Sequence, residues 1–168
     1  EKIKQFKNQL KLDITSEGLR IQVVDEQNRP MFDSGRADLK IYTREILAGI
    51  AEVLNDMPNR ISLSGHTDAT PFPSKYGNYS KWELSADRAN ASRRELVKAG
   101  LKAEKMLRVE GLADAVPLDV EDPYNSTNRR ISIIVLNKRT EESLIRSGGK
   151  DAGNMLEVDQ NSSLTEFS

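Results

Sequence analysis

Residues 39–54 fix the plan of this chain more firmly than any other stretch. Leu39, Thr43, Ile46, Leu47, Ile50, Val53 and Leu54 recur at helical spacing, which places one apolar stripe along an amphipathic helix. Asp38 stands where it can cap the start, and Asn55 and Pro58 close the end. On either side the periodicity changes to two. Leu19, Ile21 and Val23 alternate with Arg20, Gln22 and Val24, and Ile61, Leu63 and Gly65 alternate with Ser62, Ser64 and His66. Both read as strands with one buried face. A helix between two strands needs a sheet to cover its stripe, so a layered α/β arrangement is the expectation.

The rest of the chain extends that plan. Residues 69–80 hold prolines, a glycine and tyrosines and read as a loop. Ser80-Lys81-Trp82-Glu83 has the form of a capping box. The helix it opens runs to Lys98 and stops at Gly100, with Ala86, Ala89, Ala91 and Ser92 small enough to lie close to a sheet. Leu107, Val109 and Gly111 give a third strand, and residues 131–136 a densely apolar, well-buried one. Residues 141–146 fit a short closing helix. Strand, helix, strand, helix, strand, strand predicts a two-layer α/β sandwich: a mixed sheet with its helices on one face.

The ends read differently. Ile3, Phe6, Leu10 and Ile14 form a narrow stripe at helical spacing, so residues 1–17 are expected as a linker helix, too short to be stable without packing on something. Residues 18–147 form the domain. From residue 148 to 168 the chain is polar and glycine-containing, the pattern of a disordered tail. The first residue is Glu1, which suggests a piece of a longer protein.

Composition narrows the chemistry. With 25 basic and 26 acidic residues the net charge is -1, so no strong field draws the chain to nucleic acid. The strands lack the aromatic residues on which RNA bases would stack. There is no cysteine and one histidine, which leaves little for thiolate metal sites, histidine-rich metal sites or nucleophilic catalysis. His66 and Asp68 have no nucleophile between them. A paired-carboxylate hydrolase stays possible on composition alone.

Three polar clusters do not follow from the fold: Gly65-His66-Thr67-Asp68 where a strand runs into a loop, Leu84-Ser85-Ala86-Asp87-Arg88-Ala89 near a helix start, and Asn128-Arg129-Arg130 before the last strand. A carboxylate and a guanidinium converging there could hold both ends of a zwitterionic amino acid. Each has a plainer reading. Asp68 could make an Asx turn, Arg88 could be a solvated helix residue, and Asn-Arg-Arg could guard an edge.

Together with Phe32-Asp33-Ser34-Gly35-Arg36-Ala37, these clusters resemble the OmpA-like peptidoglycan-binding family over roughly residues 19–138. Residues 17–22, 27–32, 61–68 and 82–96 resemble more closely its wall-anchoring branch in the flagellar stator, as does Pro71-Phe72-Pro73. The resemblance implies a non-catalytic peptidoglycan binder without cofactor or metal. Asp68 would hold the ammonium of diaminopimelate in the stem peptide and Arg88 its carboxylate, while Thr67, Leu84, Asn128 and Arg129 complete the pocket. It further implies a homodimer in the periplasm, tied by an inner-membrane segment outside this sequence to a MotA-type stator subunit, and contact with the basal-body P ring. A module serving only dimerisation or docking is the alternative. Lys81 departs from the family's usual asparagine and puts one auxiliary hydrogen bond in doubt.

Overall fold

The computed structural model describes residues 7–26, 29–73 and 77–148. Asn28, part of the turn expected at 28–30, and the tail beyond residue 148 lie outside them. The strands are β1 (Leu10–Thr15), β2 (Gly18–Val24), β3 (Ile61–His66), β4 (Met106–Gly111) and β5 (Arg130–Leu136). The helices are α1 (Ile41–Asn55), α2 (Lys81–Lys98) and α3 (Lys138–Gly148). The sheet order is β1-β2-β5-β3-β4. Only the β3–β4 pair is parallel, as the α2 crossover between them requires.

Alternation along the strands sorts the two faces. Ile21, Val23, Ile61, Leu63, Ile131, Ile133 and Val135 share one core with Ile46, Leu47, Ile50 and Leu54 of α1 and Leu96 of α2. The opposite face carries Gln22, Ser62, Ser64, His66, Arg130 and Ser132, all buried. The expected α/β sandwich is therefore present, with α1 and α2 over the apolar face.

Three local expectations are corrected. The linker helix over 1–17 does not continue into the described residues. Leu10–Thr15 is a strand paired along its whole length with β2, from Leu10 opposite Val23 to Thr15 opposite Gly18. Leu10, Leu12 and Ile14 alternate with Lys11, Asp13 and Thr15, so the segment also satisfies period two. Pairing with β2 satisfies the backbone groups that face it, and Leu10 packs against the core, support that a short isolated helix would lack. Residues 1–6 are outside the described range.

Asp38 does not cap α1. The cap position is Lys40, without a side-chain hydrogen bond, and Asp38 instead pairs with Arg36 at 2.8 Å. β2, expected to bury one face, buries both from Ile21 to Val24: Ile21 and Val23 enter the core, and on the other face buried Gln22 accepts from Arg130 Nε at 2.8 Å.

The capping box at Ser80 is formed as expected, with the Glu83 carboxylate accepting from the Ser80 N–H at 2.9 Å. Helix α2 then presses on the sheet at two glycines. A Cβ at Gly65 would stand 2.2 Å from the Ser85 carbonyl, and one at Gly111 would stand 2.3 Å from the Ala86 nitrogen. Ser85 Oγ accepts from the Ala113 N–H at 3.0 Å. This contact sets the height at which Leu84 and Arg88 leave the first turns of α2.

Candidate ligand cleft

A cleft of about 1340 Å³ opens where β3 ends, α2 begins and the 30–40 loop folds over. Thr67, Asp68, Leu84, Arg88 and Arg129 line it, together with Asp25, Phe32, Lys81 and residues of the 34–38 and 70–73 loops. Five of the six residues expected at the site thus meet in one place, drawn from the end of β3, α2 and the approach to β5.

Asp68 is 6 % exposed. Its Oδ1 accepts from the Thr70 N–H at 2.9 Å, so the Asx-turn reading holds as well. Its Oδ2 contacts the Arg129 guanidinium. Arg129 Nε donates in turn to Asp25 Oδ2 at 2.9 Å. Burial works against the charge on Arg129, yet hydrogen bonds to Asp25 and Asp68 hold its pKa above the ordinary value. Burial pushes the Asp25 carboxyl up, against the pull of Arg129 and of the Met31 N–H that donates to it at 2.7 Å.

Arg88 is 8 % exposed. Its Nε donates to the Arg36 carbonyl at 2.8 Å and its Nη2 to the Asp33 carbonyl at 3.4 Å. The guanidinium carbon lies 4.8 Å from the centroid of the Phe32 ring. Burial lowers the Arg88 pKa, and the Asp25 carboxylate opposes that shift. The motif at residues 32–37 therefore acts through its ring and its carbonyls. The turn that aims those carbonyls passes through Gly35 at φ 66°, a left-handed conformation that glycine adopts without steric cost.

Thr67 Oγ1 is buried and without a hydrogen-bond partner, while the Thr67 N–H donates to the Ala113 carbonyl at 2.8 Å. Lys81 Nζ donates to the Asp68 carbonyl at 3.2 Å and pairs with Asp114 at 3.1 Å. The residue that stands in place of asparagine thus supports the backbone of Asp68.

Asn128 does not line the cleft. It is 0 % exposed, its amide donates to the carbonyls of Asp119, Asp122 and Pro123, and its Oδ1 accepts from the Asp119 N–H at 2.7 Å. It ties up the loop whose Pro123 carbonyl receives the Ala69 N–H at 3.0 Å. His66 points away, hydrogen-bonded through Nε2 to Ser64 Oγ at 2.9 Å. Burial, then Arg130 and Arg20, push its pKa down to about 3.

Asp25 and Lys81 were not among the site residues expected from sequence. Asp25 carried one usable signal, a carboxylate directly after the apolar end of β2. Its partner lies 104 positions away, a separation that no local pattern spans.

A buried carboxylate, a buried guanidinium and a bridging arginine thus line a charged cleft at one end of a two-layer α/β fold. The family model for the OmpA family matches residues 31–130, and the chain belongs to that family. It is 53% identical to Motility protein B of Escherichia coli K12 over 149 residues, which is 89% of this chain and 48% of that protein. The chain thus spans about half the length of this relative. The periplasmic domain of Helicobacter pylori MotB superposes with a TM-score of 0.66 at 19% identity, covering 88% of this chain and 92% of that one. The cell wall anchor of the T6SS from Pseudomonas aeruginosa gives a TM-score of 0.64 at 21% identity, covering 79% and 90%.

Proposed function

We propose that this chain is a non-catalytic peptidoglycan anchor of a flagellar stator, working in the periplasm by gripping the zwitterionic centre of diaminopimelate. The observation that carries this reading is the convergence of Asp68 and Arg88, both more than nine-tenths buried, on one open cleft. Family membership and the identity to Motility protein B supply the biological setting.

Asp68 takes the ligand ammonium and Arg88 its carboxylate. Arg129 already contacts Asp68, so the ammonium must share that carboxylate with it or displace it. Arg129 keeps its second bond to Asp25 in either case. Thr67 Oγ1 offers an unused hydrogen bond, and Leu84 packs against the methylenes between the two ends. Charge-assisted hydrogen bonds contribute about 1.5–3 kcal/mol each, so a single stem peptide binds weakly. Firm anchoring then comes from two copies acting together on adjacent peptides, where effective concentration multiplies weak contacts. In the intact stator the domain would follow an inner-membrane segment, associate with a MotA-type subunit, and sit near the P ring.

Sedimentation with purified sacculi tests the grip. The unmodified chain should pellet, and Asp68→Asn and Arg88→Lys should each stay in the supernatant when assayed well below their own unfolding transitions, which burial of both residues will lower. Equal pelleting of all three would exclude the zwitterion grip. Release of muropeptides would make the protein an enzyme instead.

A further inference from the structure

We infer that Asp114 is a positioning residue for the ammonium site: by pairing with Lys81 it keeps that cation on the Asp68 carbonyl and off the Asp68 carboxylate. Lys81 Nζ lies 3.2 Å from the Asp68 carbonyl oxygen and 3.1 Å from Asp114 Oδ2. Lys81 is the first residue of α2, where the helix dipole disfavours a positive charge. It is also the second cation in contact with Asp68, after Arg129. A carboxylate answering two cations has little charge left for a third. Each of the two, however, has a second acid of its own. Arg129 pairs with Asp25, and Lys81 pairs with Asp114. Asp68 keeps its charge for a ligand only while both acids hold their partners.

The turn after β4 delivers Asp114 at a cost in backbone strain. Ala113 stands at φ 50°, in the left-handed region that a residue with a Cβ seldom adopts, and it is buried. Three hydrogen bonds hold it there. The Leu112 N–H donates to the Gly65 carbonyl at 3.0 Å, the Ala113 N–H to Ser85 Oγ at 3.0 Å, and the Thr67 N–H to the Ala113 carbonyl at 2.8 Å. The turn is thus tied both to the end of β3, which leads into Asp68, and to α2, which carries Lys81. Strain of this kind persists where the surroundings over-determine it. Its product here is a carboxylate beside Lys81. Without that charge, the Lys81 ammonium is drawn to the carboxylate of the residue it already touches. Asp68 Oδ1 accepts from the Thr70 N–H and Oδ2 contacts Arg129, so a further cation there competes directly with a ligand ammonium.

This role rests on the reading of the cleft as a zwitterion site, and its test has one readout with ligand and one without. The ligand is a soluble stem peptide carrying diaminopimelate, titrated into the unmodified chain and its variants by NMR. Asp114→Asn should weaken binding several-fold, and Asp114→Glu should bind as the parent does. Adding Lys81→Gln to Asp114→Asn removes the unpaired cation but keeps a donor for the Asp68 carbonyl, and should restore most of the affinity. Without ligand, the Thr70 amide reports on the Asp68 carboxylate through its 2.9 Å hydrogen bond. Its resonance should move in Asp114→Asn and return in the double variant, a reversal that lost packing would not give. Equal binding by Asp114→Asn and the parent would overturn the role, as would a folded double variant no tighter than Asp114→Asn. If the parent itself ignores the peptide, the zwitterion reading fails and the Thr70 amide decides alone. An unmoved resonance then overturns the positioning, and a reversible shift upholds it.

Discussion

Arg129 Nε lies 2.9 Å from Asp25 Oδ2, joining the residue that follows β2 to the one that precedes β5 under the ligand cleft. The same guanidinium contacts Asp68, so Asp25 controls how firmly Arg129 holds the carboxylate that would receive a ligand. Asp25→Asn keeps an acceptor for the Met31 N–H but removes the charge. Arg129 then turns wholly to Asp68 and competes harder with an ammonium. Retention on sacculi should fall several-fold, and denaturant unfolding should show a loss of about 1–3 kcal/mol. Unchanged retention would make Asp25 a purely structural residue.

Helix α2 has no room to rise over Gly65 and Gly111. Gly65→Ala or Gly111→Ala places a methyl against backbone atoms that cannot rotate away. Each should cost at least about 1–3 kcal/mol, the usual range for overpacking, and more where the helix cannot shift. Because α2 carries Leu84 and Arg88, folded material should also bind sacculi less well. Alanine at Gly77, where a Cβ meets nothing within 4 Å, tests φ alone, since that glycine sits at φ 58°. It should cost about 1 kcal/mol.

His66 should make the fold sensitive to acid. Its folded pKa is pushed down to about 3, against 6.5 when exposed. Between pH 6.5 and 3 the unfolded chain therefore binds a proton at this histidine that the folded chain refuses. Stability is lost as pH falls through that window, at up to about 1.4 kcal/mol per unit. His66→Gln removes the proton site. Between about pH 6 and 4 the parent should lose about 2 kcal/mol relative to the variant in urea titrations. Parallel pH profiles would refute the shift.

Asn128 should behave as a structural residue. Asn128→Ala strips three carbonyls and the Asp119 N–H of their partner inside a buried site. The expected cost is about 2–4 kcal/mol, with faster proteolysis in the 119–128 loop. At temperatures where the variant remains folded, weak residual pelleting with sacculi should persist, since Asp68 and Arg88 are untouched. Complete loss there would give Asn128 a direct part in binding.

Deleting residues 1–15 removes β1, the strand that pairs with β2. The expected result is a lowered Tm and concentration-dependent aggregation in light scattering, because the bared edge of β2 offers unpaired N–H and C=O groups. A truncated chain as stable as the parent would mark β1 as dispensable.

Much of this structure was legible in the chain because the signals are local. The stripe from Leu39 to Leu54 gave α1, the box at residues 80–83 gave the start of α2, and Gly100 its end. Asp68 and Arg88 were identifiable because they sit in short motifs resembling a known family, and the cleft does bring them together. The ambiguous segment was Leu10–Thr15. Ile3, Phe6, Leu10 and Ile14 satisfy a helical period, while Leu10, Leu12 and Ile14 satisfy a strand period, so the pattern alone could not choose. Pairing with β2, a tertiary contact, chose the strand.

The sequence by itself therefore determined the order of α1, α2 and their neighbouring strands, the capping of α2, and the carboxylate and guanidinium that meet in the cleft. The elements and the cap depend on side-chain periodicity and on hydrogen bonds a few residues long, whereas Asp68 and Arg88 stood out only through their resemblance to a family's motifs. Only the tertiary structure decided that β1 joins the sheet, that Arg129 divides itself between Asp25 and Asp68, that Arg88 rests on the Asp33 and Arg36 carbonyls, and that Asn128 is buried behind the site instead of in it. Each of those depends on atoms brought together from distant parts of the chain. Which of several possible partners a charged or amide side chain takes is set by what packing leaves within reach, and nothing local records that choice.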